Sequence, residues 1–155
     1  MGTILAGNQH AQVVHKVMLQ AFQEYATATP PSSALSETVE SIEQAFNTGE
    51  QALISYMEDQ PVAMVRFTVS EKGIYFFRLS VIPEMQGRGL AKALLNELEN
   101  YARAQGKKFS ECKVRMNVPR NIELYRSLGY VITKETMAEN RNGFSLPIVT
   151  MEKEL

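Results

Sequence analysis

Two glycines separated by a single residue, Gly87 and Gly89, interrupt the run Leu79-Ser-Val-Ile-Pro-Glu-Met-Gln-Gly-Arg-Gly-Leu-Ala91. An apolar, β-rich segment leads into this run, and an amphipathic segment carrying Leu90, Leu94, Leu98 and Tyr101 leaves it. The spacing predicts a strand, a glycine loop and a helix in direct succession. A junction of this kind exposes several backbone N–H groups at the positive end of the helix, which suits a phosphate and a diphosphate especially well.

The rest of the chain supplies a sheet around that junction. Thr3 to Ala6 reads as a short edge strand. Ala11, Val14, Met18, Ala21, Phe22 and Tyr25 recur at helical spacing, with Asn8 as the expected cap. The cluster Thr27 to Ser33 breaks that helix, and Val39, Ile42 and Phe46 mark a second one that Gly49 stops. Strands follow at Ala52–Met57, Val62–Val69 and Ile74–Val81, with turns at Glu58–Pro61 and Lys72-Gly73. Beyond the helix ending at Gly106 come a strand at Phe109–Met116, a short helix at Pro119–Leu128 and a strand at Gly129–Thr136. Asn142-Gly143 should turn the chain into a closing strand at Ser145–Met151. At 155 residues, with no repeat or linker, residues 1–155 are expected to form a single domain. Its architecture should be α/β (α+β), with helices on both faces of a mixed sheet. The unit from Ile74 to Met116 should make a parallel, right-handed crossover whose strands splay at their carboxyl ends.

Composition removes several classes of function. Sixteen basic and seventeen acidic residues leave a net charge of −1 and no basic stripe, which argues against a nucleic-acid binder. No run approaches the ~18 apolar residues of a membrane helix, and the N-terminal residues do not read as a leader. A single cysteine, Cys112, excludes an internal disulfide and agrees with a cytoplasmic setting; beside Val114 it reads as core packing rather than a nucleophile. His10 and His15 have no metal-ligand spacing, so no metal is expected.

The loop itself excludes two familiar phosphate motifs. The string G-x-x-x-x-G-K-[ST] is absent, and a G-x-G-x-x-G count from Gly87 meets Lys92 in the third glycine's place. Gln-Gly-Arg-Gly-Leu-Ala does match [QR]-x-x-G-x-[GA], and with Leu79-x-Val81-x-Pro83 before it the chain resembles the GNAT superfamily of acyl-coenzyme A N-acyltransferases. Asn121-Ile-Glu-Leu-Tyr-Arg-Ser-Leu-Gly-Tyr130 is similar to that family's N-x-x-L-Y-x-x-x-G-[FY] segment, and Met-Glu-Lys at 151–153 is common there. The resemblance covers roughly residues 74 to 153 at motif level. It implies a mostly antiparallel twisted sheet with a splayed central parallel pair.

The resemblance also implies roles. The N–H groups of Gln86, Gly87, Arg88, Gly89, Leu90 and Ala91 would bond the pyrophosphate of acetyl-coenzyme A, while Gln86 braces the loop through its amide. Arg88 and Lys92 would add positive charge there or serve as solvated surface. Leu79 and Val81 would act through main chain beside a strand bulge, binding the pantetheine arm as an added strand and polarising the thioester carbonyl. Tyr125 would donate a proton to the departing thiolate, with a packed structural tyrosine as the alternative. Asn121 would hold the coenzyme arm, although the family often has its asparagine at the place of Val118.

One expected group is missing. Histone-type relatives carry a glutamate base six residues before the position matching Val81, and here that position is Tyr75. Glu24 and Tyr25 could line an acceptor groove or be ordinary surface and core. Arg78, counted onto the face of Phe76 and Ser80, could recognise an acceptor carboxylate or meet an internal acidic partner. Groove walls are expected from Gln23–Glu40 and Glu139–Phe144. The implied activity is acetyl transfer from acetyl-coenzyme A to a primary amine by direct attack, with a non-catalytic acyl-coenzyme A sensor as the alternative. The acceptor amine is the one partner implied, and a homodimer through the last strands stays open.

Overall fold

The computed structural model describes residues 2–23, 33–116, 118–139 and 145–155. Among the described residues, seven strands and four α-helices follow one another as β1 (Gly2–Ala6), α1 (Ala11–Phe22), α2 (Val39–Asn47), β2 (Gln51–Met57), β3 (Gln60–Val69), β4 (Gly73–Val81), α3 (Leu90–Ala104), β5 (Phe109–Arg115), α4 (Pro119–Ser127), β6 (Val131–Glu139) and β7 (Ser145–Glu154). They form one sheet in the order β1-β2-β3-β4-β5-β7-β6. Tight links make β2, β3 and β4 an antiparallel meander, and every pair is antiparallel except β4–β5. The parallel pair is the one joined through a helix, because parallel neighbours need a long crossover.

Helices cover both faces, and each face has its own core. Val14, Val17 and Met18 of α1 and Ile42 of α2 pack on Ile54 and Met64. On the other side Leu94, Leu95 and Leu98 of α3, with Tyr125 of α4, pack on Phe67, Phe76, Val114, Val149 and Met151. Fully burying each such side chain contributes about 1.5–3 kcal/mol, so the two cores fix the sheet between its helices. A polar network ties the second layer across its depth. The Tyr130 hydroxyl donates to Glu99 at 3.1 Å and lies 2.6 Å from Ser110 Oγ, and Lys153 Nζ reaches Glu99 at 2.8 Å.

The parallel pair holds together only at its base. Gly73, Ile74 and Tyr75 pair with Phe109, Ser110 and Glu111, and beyond them the two strands have no register. Gly73 makes the close approach possible, since a Cβ there would collide with the carbonyl of Phe109. The expected splay is therefore present, and it opens toward the carboxyl ends of β4 and β5.

Three local expectations change. Asn8 does not cap α1; it sits in a 3-10 turn over Asn8–His10, and the cap position His10 makes no side-chain capping bond. Asn8 Nδ2 instead donates to Glu43 O at 3.2 Å and Asn47 Oδ1 at 2.8 Å, tying the turn to the end of α2. Gly129 belongs to the end of α4 rather than to β6: its φ is +98°, and the Tyr130 N–H returns to Tyr125 O at 3.0 Å. β7 runs on to Glu154 because its last residues pair with the start of β5. Glu24, Tyr25, the breaker residues 27–32 and the Asn142-Gly143 turn lie outside the described residues.

Candidate active site

The opening between β4 and β5 is shaped by an irregularity in β4. Met64 opposes Ser80 while Arg66 opposes Phe77, so Val65 of β3 faces both Arg78 and Leu79. This is a β-bulge, and Arg78 takes it up with φ +55°. A left-handed backbone costs a non-glycine residue about 1–2 kcal/mol, so surrounding contacts must hold it. Ser80 Oγ donates to Arg78 O at 2.8 Å, and Arg78 Nε donates to Glu37 Oε2 at 2.9 Å.

The bulge decides where main-chain groups point. Ile82 N–H bonds to Val62 O at 3.0 Å, so Ile82 and, two residues back, Ser80 turn their groups toward β3. By alternation Leu79 and Val81 turn theirs to the opposite edge, the one β5 has left. There Gln86 Nε2 donates to Val81 O at 3.1 Å, which is the loop brace expected of this glutamine. The side chains of Leu79 and Val81 pack against the core that contains Tyr125.

The loop follows at once. Pro83–Met85 forms a 3-10 turn, with Met85 buried against the α1 layer. Gly87 and Gly89 have φ of +79° and +77°, and a Cβ at either would meet nothing within 4 Å. Glycine is therefore required by backbone conformation, and the space beside both residues is open. Gly89 stands at the cap of α3 and offers no side chain to the first-turn N–H groups. The amides of Leu90, Ala91 and Lys92 thus lack both an intrahelical acceptor and a cap from Gly89, at the positive end of a 15-residue helix. Leu90 is buried and pins the helix start, while Arg88 and Lys92 are exposed.

Across the opening stands α4, which starts at Pro119. Tyr125 is buried, its ring edge-on to Phe76 with centroids 5.5 Å apart. Phe76 is the first residue of β4 past the last parallel pair, so Tyr125 flanks the root of the splay. Asn121 lies one helical turn earlier and is half-buried; its N–H donates to Val118 O.

The face opposite α3 and α4 carries the other candidates. Tyr75 occupies the position where a carboxylate was sought, stacked on Phe77 at 5.8 Å with Lys113 Nζ 5.9 Å from its ring. A phenol already holds its proton at neutral pH, and burial, then the neighbouring Cys112 and Glu111, push its pKa further above the ordinary 10.0. A cavity of about 400 Å³ at this level is lined by Tyr75, Thr68, Lys72, Glu111 and Glu152. Arg78 does not share the face of Phe76, because the bulge breaks the two-residue alternation; it joins Arg66 on the α1 side and meets the internal acidic partner Glu37. Cys112 is a buried core residue whose thiol burial pushes far up. His10 Nδ1 accepts from Gly7 N–H, and His15 Nε2 lies 3.0 Å from Glu37 O, so both histidines have structural partners.

The sequence of these parts has a counterpart among known proteins. A family model described as Acetyltransferase (GNAT) family matches residues 17–130. The chain belongs to the GNAT acetyltransferase family. Solved GNAT structures share its fold at low identity. A GCN5-related N-acetyltransferase from Rhodopseudomonas palustris is 19% identical with a TM-score of 0.81, over 99% of this chain and 95% of that one. A putative acetyltransferase from Salmonella typhimurium, solved with its cofactor acetyl-CoA, is 18% identical with a TM-score of 0.75, over 100% and 94%. The ribosomal-protein-S18-alanine N-acetyltransferase of Escherichia coli is 16% identical with a TM-score of 0.78, over 99% and 94%. No curated protein matches the chain significantly. Among the described residues no helix is long and apolar enough to cross a membrane.

Sequence reasoning missed Glu37, Glu50 and Arg66. Arg66 carried a signal, a single charge inside the apolar strand Val62–Phe67, but its partners lie 29 and 16 residues away.

Proposed function

We propose that this chain transfers an acetyl group from acetyl-coenzyme A to a primary amine by direct attack in a ternary complex, with residues 1–155 acting as one acetyltransferase domain. One observation carries the reading: a β4 edge freed by the splay runs straight into a helix start with no side-chain cap, beside the open space at Gly87 and Gly89. A thioester carrier with a diphosphate has the two features that such a surface complements. The N–H groups from Gly87 to Ala91 hold the diphosphate, the Gln86 N–H being turned to Pro83 O at 3.3 Å, with Arg88 and Lys92 adding screened charge. The Leu79 and Val81 main chain pairs with the pantetheine arm and polarises the thioester carbonyl. Asn121 steadies the arm, and Tyr125 donates its proton to the leaving sulfur.

Tyr75 keeps its own proton, so the amine arrives neutral or releases its proton to water. The acceptor approaches from the α1 side of the sheet, since α3 and α4 occupy the other face of the opening. Acetyl-coenzyme A-dependent thiol release, screened over polyamines, amino acids and peptide N-termini, tests the reading. Amine-dependent release supports it, and saturable binding with no release over the panel points instead to a sensor. The tyrosine in the place of a carboxylate base is the observation that favours that second reading.

A further inference from the structure

We propose that Glu37 is a positioning residue for acyl transfer: it acts through Arg78, holding the β4 bulge in the form that turns the Leu79 and Val81 main chain into the opening. The inference rests on the function proposed above. Its starting point is that a non-glycine residue sits at φ +55° beside the candidate acyl site. A backbone in that region needs contacts that favour it, and Arg78 has them on two sides. Its carbonyl accepts from Ser80 Oγ, and its guanidinium binds Glu37 Oε2.

Glu37 is itself fixed with unusual completeness for a carboxylate on a turn. Both of its oxygens lie 2.9 Å from Arg66 Nη1, and its main-chain carbonyl meets His15 of α1. Arg66 is 2% exposed, lies over the Phe77 ring at 5.1 Å, and holds Glu50 through Nε at 2.6 Å and Nη2 at 3.1 Å. Burial opposes its charge, but the hydrogen bond and attraction of Glu50, then Glu37, outweigh that and raise its pKa. Glu37 therefore joins the two strands at the irregularity: Arg66 is the β3 residue just past it, and Arg78 is the extra residue within it. Two cations and two carboxylates balance in this cluster. Removing one carboxylate leaves net positive charge beside the bulge and frees the side chain that keeps Arg78 left-handed.

The test compares Arg78→Gly with Arg78→Ala. Both remove the guanidinium, but only glycine takes φ +55° without strain. Folded wild type and variants are titrated with carbonyl-labelled acetyl-coenzyme A, followed by the infrared shift of the bound carbonyl and by thiol release with a responsive amine. Arg78→Gly should keep the carbonyl shift and stay within about threefold of wild-type turnover. Arg78→Ala and Glu37→Gln should lose most of the shift and at least about tenfold in turnover, less than the roughly 100-fold of an oxyanion donor removed outright, because the main chain is displaced rather than deleted. Arg78→Gly should bind coenzyme A within about twofold of wild type, whereas Arg78→Ala and Glu37→Gln should bind it more weakly, because its pantetheine arm uses the Leu79 and Val81 main chain. Adding Glu37→Gln to Arg78→Gly should change nothing further. Equal losses in the alanine and glycine variants, or an undiminished Glu37→Gln effect in the glycine background, would overturn the proposal. A wild type that shows no carbonyl shift on binding would also overturn it. Should Glu37→Gln fail to fold, the Arg78 pair still decides the matter. A wild type that does not bind acetyl-coenzyme A at all would remove the proposed function itself.

Discussion

Replacing Gly89 by alanine separates the cost of the loop's shape from the cost of losing its ligand. Gly89 has φ +77°, and an added methyl meets no atom within 4 Å, so the penalty is conformational alone. If alanine keeps the left-handed backbone, the folded protein loses about 1–2 kcal/mol. For a chain of this length that lowers the melting temperature by about 2–8 °C, at about 2–4 °C per kcal/mol. If alanine relaxes to negative φ, the amides at the start of α3 turn away from the place of the phosphates. A hydrogen bond from an amide to a charged group is worth about 1.5–3 kcal/mol, so losing one weakens coenzyme A about 10- to 150-fold. Either way Gly49→Ala is the matched control: its φ is +114°, its added methyl also meets nothing, and it lies at the end of α2 away from the loop. Calorimetric titration with coenzyme A and with S-acetylpantetheine, which has no diphosphate, reads the difference. The expected pattern is weaker coenzyme A binding in Gly89→Ala, unchanged binding in Gly49→Ala, and little change for S-acetylpantetheine in either. Equal weakening of both ligands, or coenzyme A binding within twofold of wild type with no loss of melting temperature, would refute this account of the loop.

Other outcomes are specific to single groups. Tyr125→Phe should lower kcat about 100-fold, the low end for a lost general acid because a thiolate leaves readily, with coenzyme A affinity within about twofold; steady-state kinetics beside calorimetry check it. Gly73→Ala should destabilise by about 1–3 kcal/mol, because its methyl must push the Phe109 carbonyl away, and denaturant unfolding measures this. Cys112 has its thiol raised by burial, so the folded state keeps a proton that the unfolded state loses above about pH 9. Stability should therefore be unaffected by this group below pH 9 and fall above it by up to about 1.4 kcal/mol per pH unit, and Cys112→Ala should remove that share of the slope in unfolding at pH 8 to 10.

Much of the fold was readable because its signals are local. Leu90, Leu94 and Leu98 recur at helical spacing and form the buried face of α3. The glycine loop, the crossover and the meander follow from runs a few residues long. What escaped has two physical origins. The alternation rule assumes regular pairing, and the bulge at Arg78 moves that side chain from the face of Phe76 to the face of Arg66. The Glu37–Arg66–Glu50 cluster depends on contacts between residues distant in sequence, for which no spacing rule exists. Asn8 shows local preference losing to a tertiary bond, since its amide is drawn to the end of α2. Among the candidate site residues, the glycine loop joins a strand to a helix and Tyr125 lies on the short helix, both elements that the local spacing predicted. Tyr75 tells a different story: a tyrosine in the place of a carboxylate was visible as a letter, but its stacking on Phe77 was not.

The central claim is that coenzyme A is held by main-chain amides along the freed edge of β4 and the start of α3. Amide chemical shifts of the isotopically labelled protein, followed during titration with coenzyme A, test it most directly. The account predicts saturable shifts, largest at Leu79, Val81, Gly87, Gly89, Leu90 and Ala91. Saturable shifts confined to other parts of the sheet, or no saturation at these six amides, would contradict it.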